Sequence, residues 1–322
     1  MIGTRKSKLA MWQATHVRDK LSLVVPERTA LLIEGVLSTG DKNTEIALSQ
    51  FSEKGVFTKE LDSALLDKQI DIAVHSMKDL PTVLPEGIRI AAVLEREDPR
   101  DALVMSKAND AKGMSRIEDL KEDAVVGTSS LRRRALIRKV CPHLRLDDVR
   151  GNVDTRLAKL DRGDYDALVL AAAGLKRLGL RDRISSYLDP PEFSWAVCQG
   201  AVVVVCRSKD SRVFDLVSKL NHHQTFLRCL AERALLRTLE GGCKVPIATF
   251  SEISDDLKTL KLYGCVLSTL GDKIIQSEKR LEETTEITPE KADLLGVELA
   301  KLLLSLGANE ILEEIRKNLK EQ

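Results

Sequence analysis

Through its first two-thirds the chain alternates short apolar runs with segments of helical periodicity, and this alternation restricts the fold more than any other feature. Thr29-Ala30-Leu31-Leu32-Ile33, Ile70-Asp71-Ile72-Ala73-Val74, Ala124-Val125-Val126-Gly127 and the run from Asp166 to Ala173 read as buried strands. A helix begins at Ser7, where Ala10, Ala14, Val17 and Leu21 recur at spacings of four, three and four along one buried face. Gln13 sits beside that face, where a polar side chain needs a partner. Further helices are expected from Asp62 to Asp67 and from Leu131 to Val140. Strands alternating with helices imply parallel sheets covered on both faces, hence an α/β fold.

The pattern breaks twice. Glu95-Arg96-Glu97-Asp98-Pro99-Arg100-Asp101 is a charged breaker, and Pro190-Pro191 closes the unit that follows it. Ala201-Val202-Val203-Val204-Val205-Cys206 then supplies one more apolar strand. From about Asn221 the character changes. A long helix (Thr225 to Leu239) precedes short strand-like runs at Val245–Ala248, Leu260–Tyr263 and Lys273–Ile275. Two helices end the chain, with Pro289 near the start of the first and Ala300, Leu303 and Leu304 along its apolar side. That order suggests a separate α+β domain, and 322 residues suit two or three domains.

Composition narrows the function. A net charge of +1 argues against broad electrostatic binding to nucleic acid or to an anionic membrane. No apolar run is long enough to span a bilayer, and no signal or transit segment precedes the first structured residues. Six cysteines (141, 198, 206, 229, 243 and 265) include no CxxC pair, which suits free thiols in a reducing compartment.

Three segments carry the residues suited to chemistry. In Val74-His75-Ser76-Met77-Lys78-Asp79-Leu80-Pro81-Thr82, a lysine and an aspartate emerge where a strand must stop, because proline cannot continue it. Ligands collect at such strand ends in α/β sheets, although a solvated turn has the same pattern. In Gly127-Thr128-Ser129-Ser130-Leu131-Arg132-Arg133-Arg134, hydroxyls and arginines crowd the start of a helix, where an anion is favoured. An exposed basic helix face is the plainer alternative. Arg5, Arg150, Arg156 and Arg177 occupy comparable strand-to-helix turns, and together these arginines suggest a crevice for a ligand with several carboxylates. In Leu239-Glu240-Gly241-Gly242-Cys243-Lys244, the glycines end a helix and offer a cysteine whose neighbouring lysine favours thiolate. An ordinary accessible thiol fits that loop as well. A metal centre does not, since no second Cys or His stands at ligand spacing.

Taken in order, these segments resemble the hydroxymethylbilane synthase (porphobilinogen deaminase) family. The likeness includes Gly3-Thr4-Arg5-Lys6-Ser7, Glu53-Lys54-Gly55-Val56-Phe57-Thr58-Lys59-Glu60-Leu61, Lys78-Asp79, Arg96 to Asp101 and Gly127 to Arg133. It continues through Arg150-Gly151-Asn152, Gln199-Gly200-Ala201, Glu232-Arg233-Ala234 and Gly241-Gly242-Cys243. The resemblance implies two periplasmic-binding-protein-like doubly wound α/β domains plus a C-terminal α+β domain. The expected boundaries are 1–96 with 196–218, 97–195, and 219–322. It implies a dipyrromethane cofactor held by a thioether to Cys243, on which four porphobilinogen molecules condense head to tail with release of ammonia. Hydrolysis then frees linear hydroxymethylbilane for tetrapyrrole (haem or chlorophyll) synthesis.

By the same resemblance Asp79 is the acid/base and electrostatic stabiliser of the cationic azafulvene intermediate. Arg5, Ser7, Gln13, Ser76, Lys78, Thr128, Ser129, Ser130, Arg132, Arg133, Arg150, Arg156 and Arg177 bind the cofactor or the growing polypyrrole chain. Gln199 and Gly200 line the crossover strand, and Phe57 supplies an apolar wall. Arg134 matches no binding position and reads as surface. A monomer without nucleic-acid or membrane partners is expected, in the cytoplasm, or in a plastid if a transit peptide has been removed. Three residues depart from the family pattern: Trp195 stands where proline is usual, Cys198 where glycine is usual and Val205 where glutamate is usual. The competing readings are a non-catalytic anion-binding module of similar architecture, which leaves Cys243 unexplained, and a phosphate reader using Arg132 to Arg134, which conflicts with the near-neutral charge.

Overall fold

The computed structural model describes residues 1–37, 58–239 and 245–320. Its strands are β1 (Ile2–Arg5), β2 (Ile33–Val36), β3 (Ile72–Ser76), β4 (Ile88–Val93), β5 (Asp101–Met105), β6 (Val125–Gly127) and β7 (Arg145–Asp147). They continue as β8 (Ala167–Ala171), β9 (Ser186–Leu188), β10 (Val202–Arg207), β11 (Ile247–Ile253), β12 (Thr259–Leu267) and β13 (Ile274–Glu282). The chain divides into two compact units, one of residues 1–97 with 199–226 and one of residues 98–198 with 227–322.

In the first unit the sheet order is β2-β1-β3-β10-β4. β1 runs parallel to β2 and β3, whereas β10 runs antiparallel to β3 and β4. The second unit repeats the arrangement as β7-β6-β8-β5-β9, with β6 parallel to β7 and β8, and β5 antiparallel to β8 and β9. Both are mixed sheets, which corrects the expectation of parallel ones. The reversed strand in each sheet, β10 or β5, is the first strand after a change of unit. This is the α/β architecture anticipated from the alternation. The second unit also holds the antiparallel sheet β11-β12-β13, with helix Pro289–Leu303 packed on it in one apolar cluster through Leu262, Leu295 and Leu299.

Local chemistry explains the element ends. Ser7 caps helix Lys8–Ser22 by accepting from the Ala10 N–H at 3.3 Å, and Ala14, Val17 and Leu21 bury against Ile72, Val74, Val202 and Val204. Burial of a valine or leucine side chain of this kind contributes about 1.5–3 kcal/mol. The strand expected over 29–33 lies at Ile33–Val36 instead, because pairing with β1 rather than apolar content selects its residues. The helix expected from Asp62 begins at Lys59. Ala172 and Ala173 belong to helix Ala172–Arg177 rather than to the preceding strand. Gly127 packs closely, since a Cβ there would lie 2.5 Å from Leu168 Cδ2 and force that side chain to shift.

Candidate active site

In the first unit the buried strand β3 delivers a single 3-10 turn, Met77–Asp79. Met77 is buried and its N–H donates to the Ala201 carbonyl at 2.9 Å, while Leu80 is buried on the other side. Leu80 is extended (φ -82°, ψ 129°), as a residue before proline must be. Two buried anchors thus hold a turn whose Lys78 is exposed and whose Asp79 is partly exposed. The Asp79 carboxylate has no hydrogen-bond or ion-pair partner among the described residues, so a ligand group can reach it without displacing a protein contact. Lys78 Nζ donates to Gln199 Oε1 at 3.3 Å, and the Gln199 carbonyl accepts from Arg96 Nε at 2.8 Å. Gly200 follows at φ +89°, a conformation open to glycine. Gln13, buried beside its helix face, finds its partner in Ser76, with Nε2 donating to Oγ at 2.9 Å. Arg5 ends β1 and is partly exposed, and Ser7 caps the helix that follows.

His75 precedes Ser76 on β3 with its Nε2 buried and unpartnered. Burial, then the charge of Arg5, pushes its pKa down to about 4, so the imidazole is neutral near pH 7 and supplies no cation to the turn.

In the second unit the hydroxyls after β6 hold the loop itself. Thr128 Oγ1 accepts from the Ser130 N–H at 3.3 Å, Ser129 Oγ donates to the Val149 carbonyl at 2.9 Å, and Ser130 caps helix Leu131–Val140. Arg132 and Arg133 are not the open forks that the sequence suggested. Both are buried and converge on Asp101, itself fully buried at the start of β5. Arg132 Nη1 donates to Asp101 Oδ2 and to the Ser194 carbonyl, both at 2.8 Å. Arg133 Nη2 donates to Asp101 Oδ1 at 2.8 Å and its Nη1 to the Val169 carbonyl at 2.9 Å. Arg134 pairs with Asp148 at the surface, as its lack of a matching position suggested. Arg150 is partly buried, Arg156 Nε donates to the Gly151 carbonyl at 2.8 Å, and Arg177 ends its helix partly exposed.

Two guanidiniums on one carboxylate leave a surplus positive charge in the interior. Burial alone raises the Asp101 pKa, but Arg132 and Arg133 outweigh it and hold the carboxyl well below the usual range. Asp101→Asn leaves two buried arginines uncompensated and is expected to cost about 3–5 kcal/mol in a urea titration at pH 7; an unchanged midpoint would contradict the triad. Because the folded pKa lies below the unfolded value of about 3.9, the stabilisation is complete above about pH 4 and is lost as acid carries the pH down towards the folded pKa. The variant should show a shallower acid dependence.

Two nitrogens in this set suit an anionic ligand. Arg132 Nε and Arg150 Nη1 are buried without a hydrogen-bond partner, a costly condition that a carboxylate oxygen would relieve. The donors present therefore fit a polycarboxylate such as a dipyrromethane with its acetate and propionate arms. Among the described residues no group of His, Cys, Asp or Glu could hold a metal ion. Phe57 and Cys243 lie outside the described residues. Sequence reasoning missed two buried acids. Asp101 carried a signal, an acid directly before the apolar run Ala102–Met105. Glu232 carried less, since only its motif match marked it; its Oε2 accepts from the Cys198 N–H at 2.7 Å and its Oε1 from Ser251 Oγ at 2.6 Å.

Comparison with known proteins shows the family. The family described as porphobilinogen deaminase, dipyromethane cofactor binding domain, matches residues 1–215. The porphobilinogen deaminase C-terminal domain matches residues 226–305. The porphobilinogen deaminase of Synechococcus sp. (strain RCC307) is 50% identical over 98% of this chain and 95% of its own. That of Prochlorococcus marinus (strain AS9601) is 46% identical over 100% and 98%. Among solved structures, a probable amino-acid ABC transporter extracellular-binding protein from Bacillus subtilis is 14% identical over 68% of this chain and 88% of its own, with TM-score 0.39. With both family domains matched in order and relatives aligned end to end, the chain belongs to the porphobilinogen deaminase family.

Proposed function

We propose that the chain is a hydroxymethylbilane synthase that condenses four porphobilinogen molecules, releasing ammonia at each condensation and, by a final hydrolysis, linear hydroxymethylbilane. The observation that carries this reading is the Met77–Asp79 turn, which holds an unengaged carboxylate between two buried anchors in a chain of this family. The dipyrromethane, joined by a thioether to Cys243, supplies the pyrrole carbon on which the new chain is built.

Asp79 performs the proton chemistry. Its carboxyl protonates the departing amine of porphobilinogen, its anion then faces the cation left behind and accepts the pyrrole N–H, and it takes up the ring proton after the carbon–carbon bond forms. Lys78, tied to Gln199, presents a charge to carboxylate arms rather than acting as a nucleophile. Arg5, Arg150, Arg156 and Arg177 align further arms, and Arg132 and Arg133 add the surplus charge of the triad and the unpartnered Nε of Arg132. Ser7, Gln13, Ser76, Thr128, Ser129 and Ser130 complete the polar lining, Gln199 and Gly200 the crossover strand, and Phe57 the apolar wall.

The functional domains of this reading are 1–96 with 196–218, 97–195, and 219–322. It is a monomer of the cytoplasm, or of a plastid after removal of a transit peptide. No helix among the described residues is long and apolar enough to cross a membrane. Incubation with porphobilinogen tests the reaction directly. Ammonia should appear in four equivalents per tetrapyrrole released; binding without ammonia release would favour a non-catalytic module.

A further inference from the structure

Cys198 has φ +59°, a left-handed conformation that is strained for a residue with a Cβ and that glycine adopts freely. Its backbone is held there by Glu232, which accepts the Cys198 N–H at 2.7 Å. The side chain is fully buried, and its thiol donates to the Cys229 carbonyl at 3.7 Å. The Cys229 thiol is also fully buried and adjoins it. Burial first, then that neighbouring thiol, pushes the Cys198 pKa well above its ordinary value. Cys141, Cys206 and Cys265 instead neighbour Glu118, Arg89 and Tyr263.

We propose that Cys198 and Cys229 form a redox dithiol whose closure to a disulfide slows the enzyme. The oxidant is a small external disulfide of the glutathione class. One cysteine thiolate attacks a sulfur of that disulfide and expels a thiolate, giving a mixed disulfide. The other cysteine then attacks the protein sulfur and expels the second thiolate. The protein loses two protons and two electrons, and the external disulfide is reduced to two thiols. Because both cysteines are fully buried and burial favours the neutral thiol of Cys198, exchange waits on local opening and is slow in either direction.

The effect on turnover follows from chain connectivity. Cys198 is bonded to Gln199, whose side chain accepts from Lys78 Nζ at 3.3 Å and whose carbonyl accepts from Arg96 Nε at 2.8 Å. Drawing Cys198 onto Cys229 displaces the peptide that carries Gln199, and with it the residue beside Asp79. Misplacement of this kind near a reacting group lowers rate steeply, and about tenfold is expected here. The activity effect rests on the synthase reading; the thiol chemistry does not.

The test is to incubate the holoenzyme with excess oxidised glutathione, alkylate under denaturing conditions, and measure intact mass, non-reduced peptide maps and turnover. The expected result is a loss of two hydrogens, one cross-linked peptide joining Cys198 to Cys229, and about a tenfold fall in turnover that a dithiol reductant reverses. Cys198→Gly and Cys229→Ala should each turn over normally when reduced and lose both the cross-link and the inhibition. Alkylation of both thiols, a cross-link to another cysteine, a persistent glutathione adduct, or cross-linking without slower turnover would each overturn the proposal. A reduced enzyme that releases no ammonia would overturn the synthase reading instead, with the peptide map still deciding the dithiol.

Discussion

Asp79→Asn will leave the protein folded and its cofactor attached yet lower turnover by about 100-fold or more. Asparagine has nearly the same shape, and the anchors of the turn are Met77 and Leu80, which the change does not touch. The Asp79 carboxylate has no partner among the described residues to lose, so no structural penalty competes with the chemical one. What disappears is the ability to give and take a proton and to face a cation with a negative charge. An amide offers only a weak dipole. Turnover should therefore fall while the melting temperature and intact mass match the wild type, the mass differing only by the substitution. Near-normal turnover would remove Asp79 from the reaction and return Lys78-Asp79 to a solvated turn.

Cys243→Ser will abolish turnover altogether. A cysteine thiolate is a far better nucleophile than a serine hydroxyl near neutral pH, so serine at position 243 cannot replace the proposed thioether. If Cys243 is the tether, as proposed, the variant has nothing on which to build, so loss should be complete rather than partial. The variant should show neither Ehrlich-positive colour nor ammonia release from porphobilinogen. Retention of both would mean that another residue holds the cofactor.

The fold was legible where local chemistry decides it. Ser7 and the spacing of Ala14, Val17 and Leu21 announce the first helix, and Leu80-Pro81 announces the end of β3. Strand direction was not legible, because an apolar run such as Val202–Cys206 is equally buried whichever way it crosses the sheet. The site divides in the same way. Asp79 stands at a strand end defined by its own neighbours in sequence, so its exposure could be read. Whether Arg132 and Arg133 are open depends on Asp101, 31 and 32 residues earlier in the chain, and no local pattern reports that pairing. The glycine-to-cysteine departure at 198 was visible in the sequence, but its meaning required the positive φ and the neighbouring Cys229.

Whether Cys243 carries a dipyrromethane can be read from the intact mass of the purified protein. The expected value is the mass of the polypeptide plus one dipyrromethane, confined by peptide mapping to the peptide containing Cys243 and absent from Cys243→Ser. Active protein at the bare polypeptide mass, or an adduct that survives the substitution, would contradict it.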